Sequence, residues 1–143
     1  MSHAIQIFIG ARGLPTVVEW QQAIDGLGFD VKLDPSVDPA KHSGYWPAVF
    51  EGRETGFEFY LDPSKEVLRD YPHIKSKVGG SKHCASFVLH SDMLELCAAS
   101  ASAAALTSLT NGVWYYADGD VIYDAGEAVA SARQDVKMVT KKP

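Results

Sequence analysis

Side chains of the types that perform nucleophilic catalysis meet at one point of the sequence, His90-Ser91-Asp92. A catalytic triad is assembled from separate parts of a fold, and three consecutive residues at a strand-to-helix turn cannot reproduce its geometry. His83 and Cys84 are a potential base and nucleophile, but neighbouring residues of a strand point to opposite faces. We therefore predict no catalytic residue, and we expect that the protein is not an enzyme.

Metal and cofactor sites are not indicated either. The five histidines show none of the short spacings that are typical of metal sites. Residues 73–82 form the one basic segment, with lysines on both sides of Gly79-Gly80. Its spacing is not that of a phosphate-binding loop, and no helix is expected to begin there. We expect no metal and no cofactor, and we interpret the segment as a flexible, solvated connector.

Acidic residues are concentrated in the first half of the chain. Residues 1–70 contain six Lys and Arg against eleven Asp and Glu, a net charge of −5, whereas residues 71–143 are balanced. A negative surface repels nucleic acid and favours basic partners, although a solvated surface without a partner is the alternative. Glu51 and Glu58 could face each other across a hairpin, as exposed paired carboxylates.

The longest irregular stretch, residues 34–47, ends near two large aromatic residues, Tyr45 and Trp46. Long loops are often functional, and these rings could anchor an interface or fold back onto the core. Together with the acidic residues they form the predicted partner-binding set: Asp30, Asp34, Asp38, Tyr45, Trp46, Glu51, Glu54 and Glu58.

Periodicity predicts the elements of the first half. Apolar residues alternate in residues 5–9, 29–33 and 55–61, which indicates strands. Residues 48–51 should form a hairpin with the last of these strands, with a turn expected at residues 52–54. Thr16 and Glu19 form a capping box, so a helix should follow, and Asp62-Pro63 should open another. A crossover from the first strand to the second through one helix predicts either parallel pairing or a split β-α-β arrangement.

The second half is built around an alanine-rich helix. It should begin near Ser91 and Asp92 and run to Thr110, because Asn111-Gly112 supplies a left-handed stop. Its small side chains allow it to lie against a sheet and to be covered on its other side as well. Strand residues 84–89 precede it, and an aromatic hairpin with Asp118-Gly119 at its turn follows, where Gly should accept the positive φ.

These elements predict an α+β fold with a mixed or antiparallel sheet and helices packed mainly on one face. The chain of 143 residues should form a single domain, residues 1–143, in which residues 5–70 and 84–136 form two βαββα-like halves of a possible internal repeat. No apolar run approaches the roughly 20 residues that span a bilayer. The protein is expected in the cytoplasm, with Cys84 and Cys97 as reduced core residues.

One stretch carries a resemblance to other proteins. Residues 87–132 combine an apolar strand, Ser91-Asp92-Met93-Leu94-Glu95, the alanine-rich helix, Leu109-Thr110-Asn111-Gly112-Val113 and a final helix after Tyr123-Asp124. This run resembles small uncharacterised bacterial proteins, some of which are immunity proteins of interbacterial toxin systems. The resemblance implies a cytosolic protein that binds and blocks a cognate toxin.

The leading functional prediction is therefore a non-enzymatic protein-binding module. Its partner would be a protein, with a basic toxin as one candidate, and neither nucleic acid nor a membrane. The alternative is a small-molecule-binding protein or a small enzyme, with a site near the 34–47 loop and the 113–123 hairpin.

Overall fold

The computed structural model describes residues 3–140, which form one seven-stranded antiparallel sheet with four α-helices. The strands are β1 (His3–Phe8), β2 (Val31–Leu33), β3 (Gly44–Phe50), β4 (Arg53–Pro63), β5 (His83–Leu89), β6 (Val113–Tyr116) and β7 (Val121–Tyr123). The α-helices are α1 (Val17–Gly26), α2 (Ser64–Asp70), α3 (Met93–Thr110) and α4 (Ala125–Thr140), with short 3₁₀ helices at Pro72–Lys77 and Ala117–Gly119. The strand order is β2-β3-β4-β5-β1-β6-β7, and the predicted α+β class is confirmed.

Helix α1 connects two strands that do not pair with each other. Successive antiparallel pairings make β1 and β2 run in the same direction, but β3, β4 and β5 lie between them. Of the two predicted arrangements, the split one is therefore observed and the parallel pairing is wrong. The central strand β5 and its neighbour β1 come from different halves of the chain. The predicted internal repeat stays a prediction.

Helix α3 is the core of the molecule. The sheet, α1 and α4 enclose it so fully that every residue from Cys97 to Thr107 is buried. Asp92 caps its first turn by accepting a hydrogen bond from the Leu94 N–H group at 2.8 Å, and Asn111 ends it with φ 53°. The predicted start, stop and double coverage are thus confirmed. Length and composition would allow α3 to cross a membrane, but 67% of it is buried inside the protein, as in a core helix.

Within residues 3–140, the opposite face of the sheet is covered at one end only. There, α2 and the 3₁₀ helix Pro72–Lys77 pack Val67, Ile74 and Val78 against Phe8 and Tyr115. The expectation of a flexible connector at residues 73–82 is wrong, because these buried side chains hold the segment on the sheet. Cys84 also lies in this cluster, and it and Cys97 are free and buried, as expected.

Backbone conformation shifts several of the predicted boundaries. Strand β4 continues to Pro63, which pairs with His83, so Asp62 is a strand residue and not a helix cap. The β3–β4 turn consists of Glu51 and Gly52, both with positive φ, which is the geometry of a tight two-residue hairpin. In the β6–β7 hairpin the positive φ falls on Asp120 and not on Gly119.

Candidate functional site

An open groove of about 610 Å³ crosses the sheet at the end that α2 leaves uncovered. Its floor is formed by Tyr45, Pro47 and Val49, which alternate along β3 with residues that face α3. Lys32 from β2 and Glu54 from β4 both pair with Val49, so these three residues form one row across the groove. The groove is therefore an apolar strip with charged residues on both sides.

Tyr45 is the exposed aromatic residue of this groove, with 55% of its surface accessible. Its ring lies over Gly56 of β4, where the absence of a side chain leaves room for it. Partial burial, together with the carboxylates of Glu95, Asp92 and Glu54, raises the pKa of the Tyr45 hydroxyl. Tyr45 thus presents an apolar ring in acidic surroundings.

Glu58 pairs with Tyr45 across the strands and has a fixed orientation. Its Oε1 atom accepts a hydrogen bond from the Tyr60 hydroxyl at 2.5 Å, and its Oε2 atom accepts one from His90 Nε2 at 2.6 Å. These bonds, Tyr60 first, hold the pKa of Glu58 below its ordinary value, and Glu58 in turn raises the pKa of Tyr60. The arrangement keeps a negative charge in place beside the groove.

The structure brings together only part of the predicted partner-binding set. Asp34, Tyr45 and Glu54 line the groove, and Glu58 adjoins Tyr45. Asp30, Asp38 and Glu51 are exposed but lie outside the lining of the groove. Glu51 does not face Glu58, because it occupies the β3–β4 turn, where its carboxylate lies 3.6 Å from the Arg53 guanidinium. The idea of a Glu51–Glu58 pair is therefore wrong.

Two of these carboxylates also shape the loop before β3. Asp34 Oδ1 accepts hydrogen bonds from the backbone N–H and the hydroxyl of Ser36, at 2.9 and 2.7 Å, and these bonds lower the pKa of Asp34. Asp38 accepts one from the Ala40 N–H group at 3.0 Å. Such local bonds are typical of turns. Asp34 therefore combines a structural role with its position in the groove.

The prediction that Trp46 belongs to the partner-binding surface is wrong, because none of its side chain is accessible to solvent. Its indole packs against Trp20 and Phe59, with ring centroids 5.3 Å away in both cases. Its N–H group donates a hydrogen bond to the Asp34 carbonyl oxygen at 3.2 Å. Adjacent residues of a strand point to opposite faces, so Tyr45 is exposed and Trp46 belongs to the core.

The two segments named for the alternative small-molecule site are far apart in the sheet. The 34–47 segment leads into and includes half of β3, whereas residues 113–123 form β6 and β7, and β4, β5 and β1 lie in between. One pocket between the two segments is therefore excluded.

A second polar cluster surrounds the β6–β7 turn. Asp120 Oδ1 accepts hydrogen bonds from His73 Nε2 at 2.7 Å and from the Tyr115 hydroxyl at 2.9 Å, and Asp118 pairs with His3. Burial, followed by the bond to Asp120, raises the pKa of Tyr115 to about 12. The His73 contact fastens the hairpin to the 3₁₀ helix at Pro72–Lys77, and the His3 contact fastens it to β1.

Sequence reasoning missed the side chains that orient Glu58. Alternation along the strand predicts that Glu58 and Tyr60 lie on one face, but it does not indicate the hydrogen bond between them. His90, by contrast, is 32 residues away in the sequence, and only the β4–β5 pairing brings it to Glu58. Within residues 3–140, no group of three or more His, Cys, Asp or Glu side chains is arranged to hold a metal ion.

Comparisons of this chain with protein-family models, curated proteins and solved structures find no match. Function must therefore be inferred from the shape and charge of the groove.

Proposed function

We propose that this protein is a non-enzymatic protein-binding module whose groove receives a basic segment of a partner protein. One observation carries the proposal: an exposed tyrosine lies on an apolar strip between carboxylates of three different segments. Tyrosine is enriched among the residues that dominate binding energy at protein interfaces. The carboxylates around it complement Lys or Arg side chains of a partner.

The groove is suited to binding without rearrangement. Tyr45 rests on Gly56, and Glu58 is held by two hydrogen bonds, so neither has to be ordered when a partner arrives. Ordering of side chains is one of the main costs of association, and a rigid platform avoids part of it. Acidic residues outside the groove, such as Asp30 and Glu51, would act at longer range by increasing the rate of encounter.

The nature of the partner follows from charge. A net charge of −5, with the whole excess in residues 1–70, favours a basic protein over nucleic acid or an anionic membrane. Residues 87–132 resemble small bacterial proteins of which some are immunity proteins, so a basic toxin is the candidate partner, and the protein would neutralise it by occupying its basic surface. A location in the cytoplasm belongs to the same proposal.

The first experiment is capture of a partner with the tagged protein from native lysate at low salt, with the product of the neighbouring gene co-expressed. The affinity of the purified pair is then measured by calorimetry at several salt concentrations. We expect a stoichiometric complex with one basic protein and an affinity that falls as salt rises. Failure to capture a basic protein under these conditions would count against the proposal.

Variants then locate the interface. Tyr45→Ala removes the ring from the groove, and Glu51→Lys/Glu54→Lys reverses charge at its edge. We expect each to weaken binding by about tenfold or more without a change in thermal stability. The matched control is Glu66→Lys/Asp70→Lys, an equal change of charge at two exposed positions of α2, outside the groove, which should leave affinity nearly unchanged. If the groove variants bind the partner as tightly as the wild type and the control do, the groove is eliminated as the interface.

A further inference from the structure

A second cavity, of about 220 Å³, lies at the other end of the sheet, on the face that carries α3 and α4. The β6–β7 hairpin forms one wall with Trp114, Tyr116 and Tyr123, and the helices form the other with Ser100 and Asp135. The acidic groove, by contrast, lies across β2, β3 and β4 on the opposite face. The two sites share no residue.

The aromatic wall is built by strand pairing. Trp114 and Tyr123 are directly opposite each other in β6 and β7, with ring centroids 6.2 Å apart. Tyr116 follows two residues after Trp114 and therefore projects from the same face of the sheet. Helix α4 packs chiefly against α3, which leaves a space between α4 and these rings.

Asp135 provides a charge in this otherwise largely apolar cavity. Its Oδ2 atom accepts a hydrogen bond from the Ser100 hydroxyl at 2.8 Å, and burial raises its pKa above the ordinary value. Ser100 is a neutral donor, so it satisfies one oxygen without compensating the charge. A partly buried carboxylate is costly unless a cation or several hydrogen bonds offset the lost hydration. Asp135 is therefore placed where a cationic ligand would be stabilised.

We propose that this cavity binds a small organic ammonium ion, with the ammonium group on Asp135 and the apolar part against Trp114, Tyr116 and Tyr123. Aromatic faces attract cations as well as apolar groups, and aromatic walls combined with a negative charge are a known way to recognise ammonium ligands. Asp135 repels anions. A cavity of about 150 Å³ suffices for benzene, so a single ring with a short amine arm fits the available volume.

This site is independent of the proposed protein-binding groove, since it lies on the other face of the sheet. It involves recognition only, and no chemical step is assigned to it. Failure of either proposal would leave the other standing, because the groove variants and the cavity variants change different residues.

The test uses three ring compounds of similar size and different charge: benzylamine (cationic at neutral pH), benzyl alcohol and benzoate. Binding is followed by NMR through the backbone signals of Ser100, Ser131 and Asp135 and the indole signal of Trp114. Saturable shifts of these signals with benzylamine, at concentrations where benzoate causes none, would support the proposal. Equal binding of the three compounds, or no shift with benzylamine, would overturn it.

Two variants separate charge from shape. Asp135→Asn keeps the size of the side chain and an oxygen that can accept from Ser100. It should weaken the binding of benzylamine by about 10- to 100-fold and leave the binding of benzyl alcohol unchanged. Ser131→Leu fills the cavity and should abolish binding of both compounds. Glu66→Gln, which removes a carboxylate from α2, is the control and should bind as the wild type does. Undiminished benzylamine binding by both Asp135→Asn and Ser131→Leu, each shown to be folded by its NMR spectrum, would refute the site.

Discussion

The ring of Tyr45 covers Gly56 so closely that a Cβ atom at residue 56 would lie 2.4 Å from the ring and 2.6 Å from the Trp46 carbonyl oxygen. A glycine inside a strand ordinarily weakens it, since it contributes no packing and loses more entropy on folding. Here the bare backbone allows an aromatic ring to lie across the sheet, and the groove depends on that ring. The position of Tyr45 is therefore a joint property of two strands.

Gly56→Ala tests this relationship. Both the ring and the Trp46 carbonyl would have to move, so we expect a loss of about 1 to 3 kcal/mol in the free energy of unfolding, measured by urea denaturation. The NMR signals of the Tyr45 ring should shift as well. Gly80→Ala is the control, because nothing lies within 4 Å of a Cβ atom there. Equal stability of the two variants would show that the contact is not constraining.

Tyr60→Phe should raise the pKa of Glu58 towards its ordinary value, because the Tyr60 hydroxyl is the main cause of the lowered pKa. A carboxyl whose pKa is lowered in the folded state contributes stability above its unfolded pKa and loses it as the pH falls through its folded pKa. The stability of the variant should therefore be closer to that of the wild type at acid pH than at neutral pH. A ¹³C NMR titration of the Glu58 carboxyl, with Tyr71→Phe as control, measures the shift directly.

Asp120→Asn should lower the pKa of Tyr115 from about 12 towards the ordinary value of 10.0, since the bond to the Asp120 carboxylate adds to the effect of burial. Asn tolerates the positive φ of residue 120, so the turn should be preserved. A tyrosine with a raised pKa stabilises the fold below its unfolded pKa, and this contribution is lost as the pH rises towards about 12. NMR titration of labelled tyrosine rings follows the change. An unaltered pKa of Tyr115 would indicate that burial alone raises it.

Asp135→Asn should stabilise the protein at neutral pH. Burial raises the pKa of Asp135, so the folded state is favoured while this carboxyl is protonated and loses stability as the pH rises through its folded pKa. Asn carries no charge to desolvate, so we expect a gain of about 0.5 to 1 kcal/mol at pH 7 and little difference at acid pH. Thermal unfolding at both pH values checks this, and a destabilised variant at pH 7 would contradict it.

Ala104→Leu should be strongly unfavourable, because Ala104 is fully buried inside the enclosed helix α3. Added methylene groups in a packed core typically cost about 1 to 3 kcal/mol. Ser108→Leu makes a comparable change at an exposed position of the same helix and should have a much smaller effect. Urea denaturation of both variants distinguishes core packing from helix propensity, and similar losses would mean that α3 is not tightly enclosed.

Local patterns were sufficient for much of the fold. The alternation in residues 5–9, the capping box at Thr16 and the alanine-rich composition of α3 depend on neighbouring residues, and the structure contains the strand and both helices. The prediction for residues 73–82 failed because Ile74 and Val78 are buried only through contacts with distant strands. Polar composition alone suggested a solvated connector.

The candidate sites, like the fold, were predictable only where they depend on local sequence patterns. Composition located the acidity in residues 1–70, which includes Glu54 and Glu58, and the long irregular stretch 34–47 pointed to Tyr45. Strand alternation could have separated Tyr45 from Trp46, had β3 been recognised as extending back to Gly44. Of the cavity at Asp135, the sequence indicated only the 113–123 hairpin, because the walls come from four strands and two helices that are distant in the chain.

The sequence by itself therefore determined the class of the fold, the central helix and the sign of the charged surface, since these depend on local periodicity and composition. Tertiary structure decided the order of the strands, and with it which side chains meet: Tyr45 over Gly56, His90 at Glu58, and Asp135 opposite Trp114 and Tyr123. The physical reason is that strand pairing and helix packing join residues far apart in the chain, and no local pattern encodes which distant surfaces will fit together.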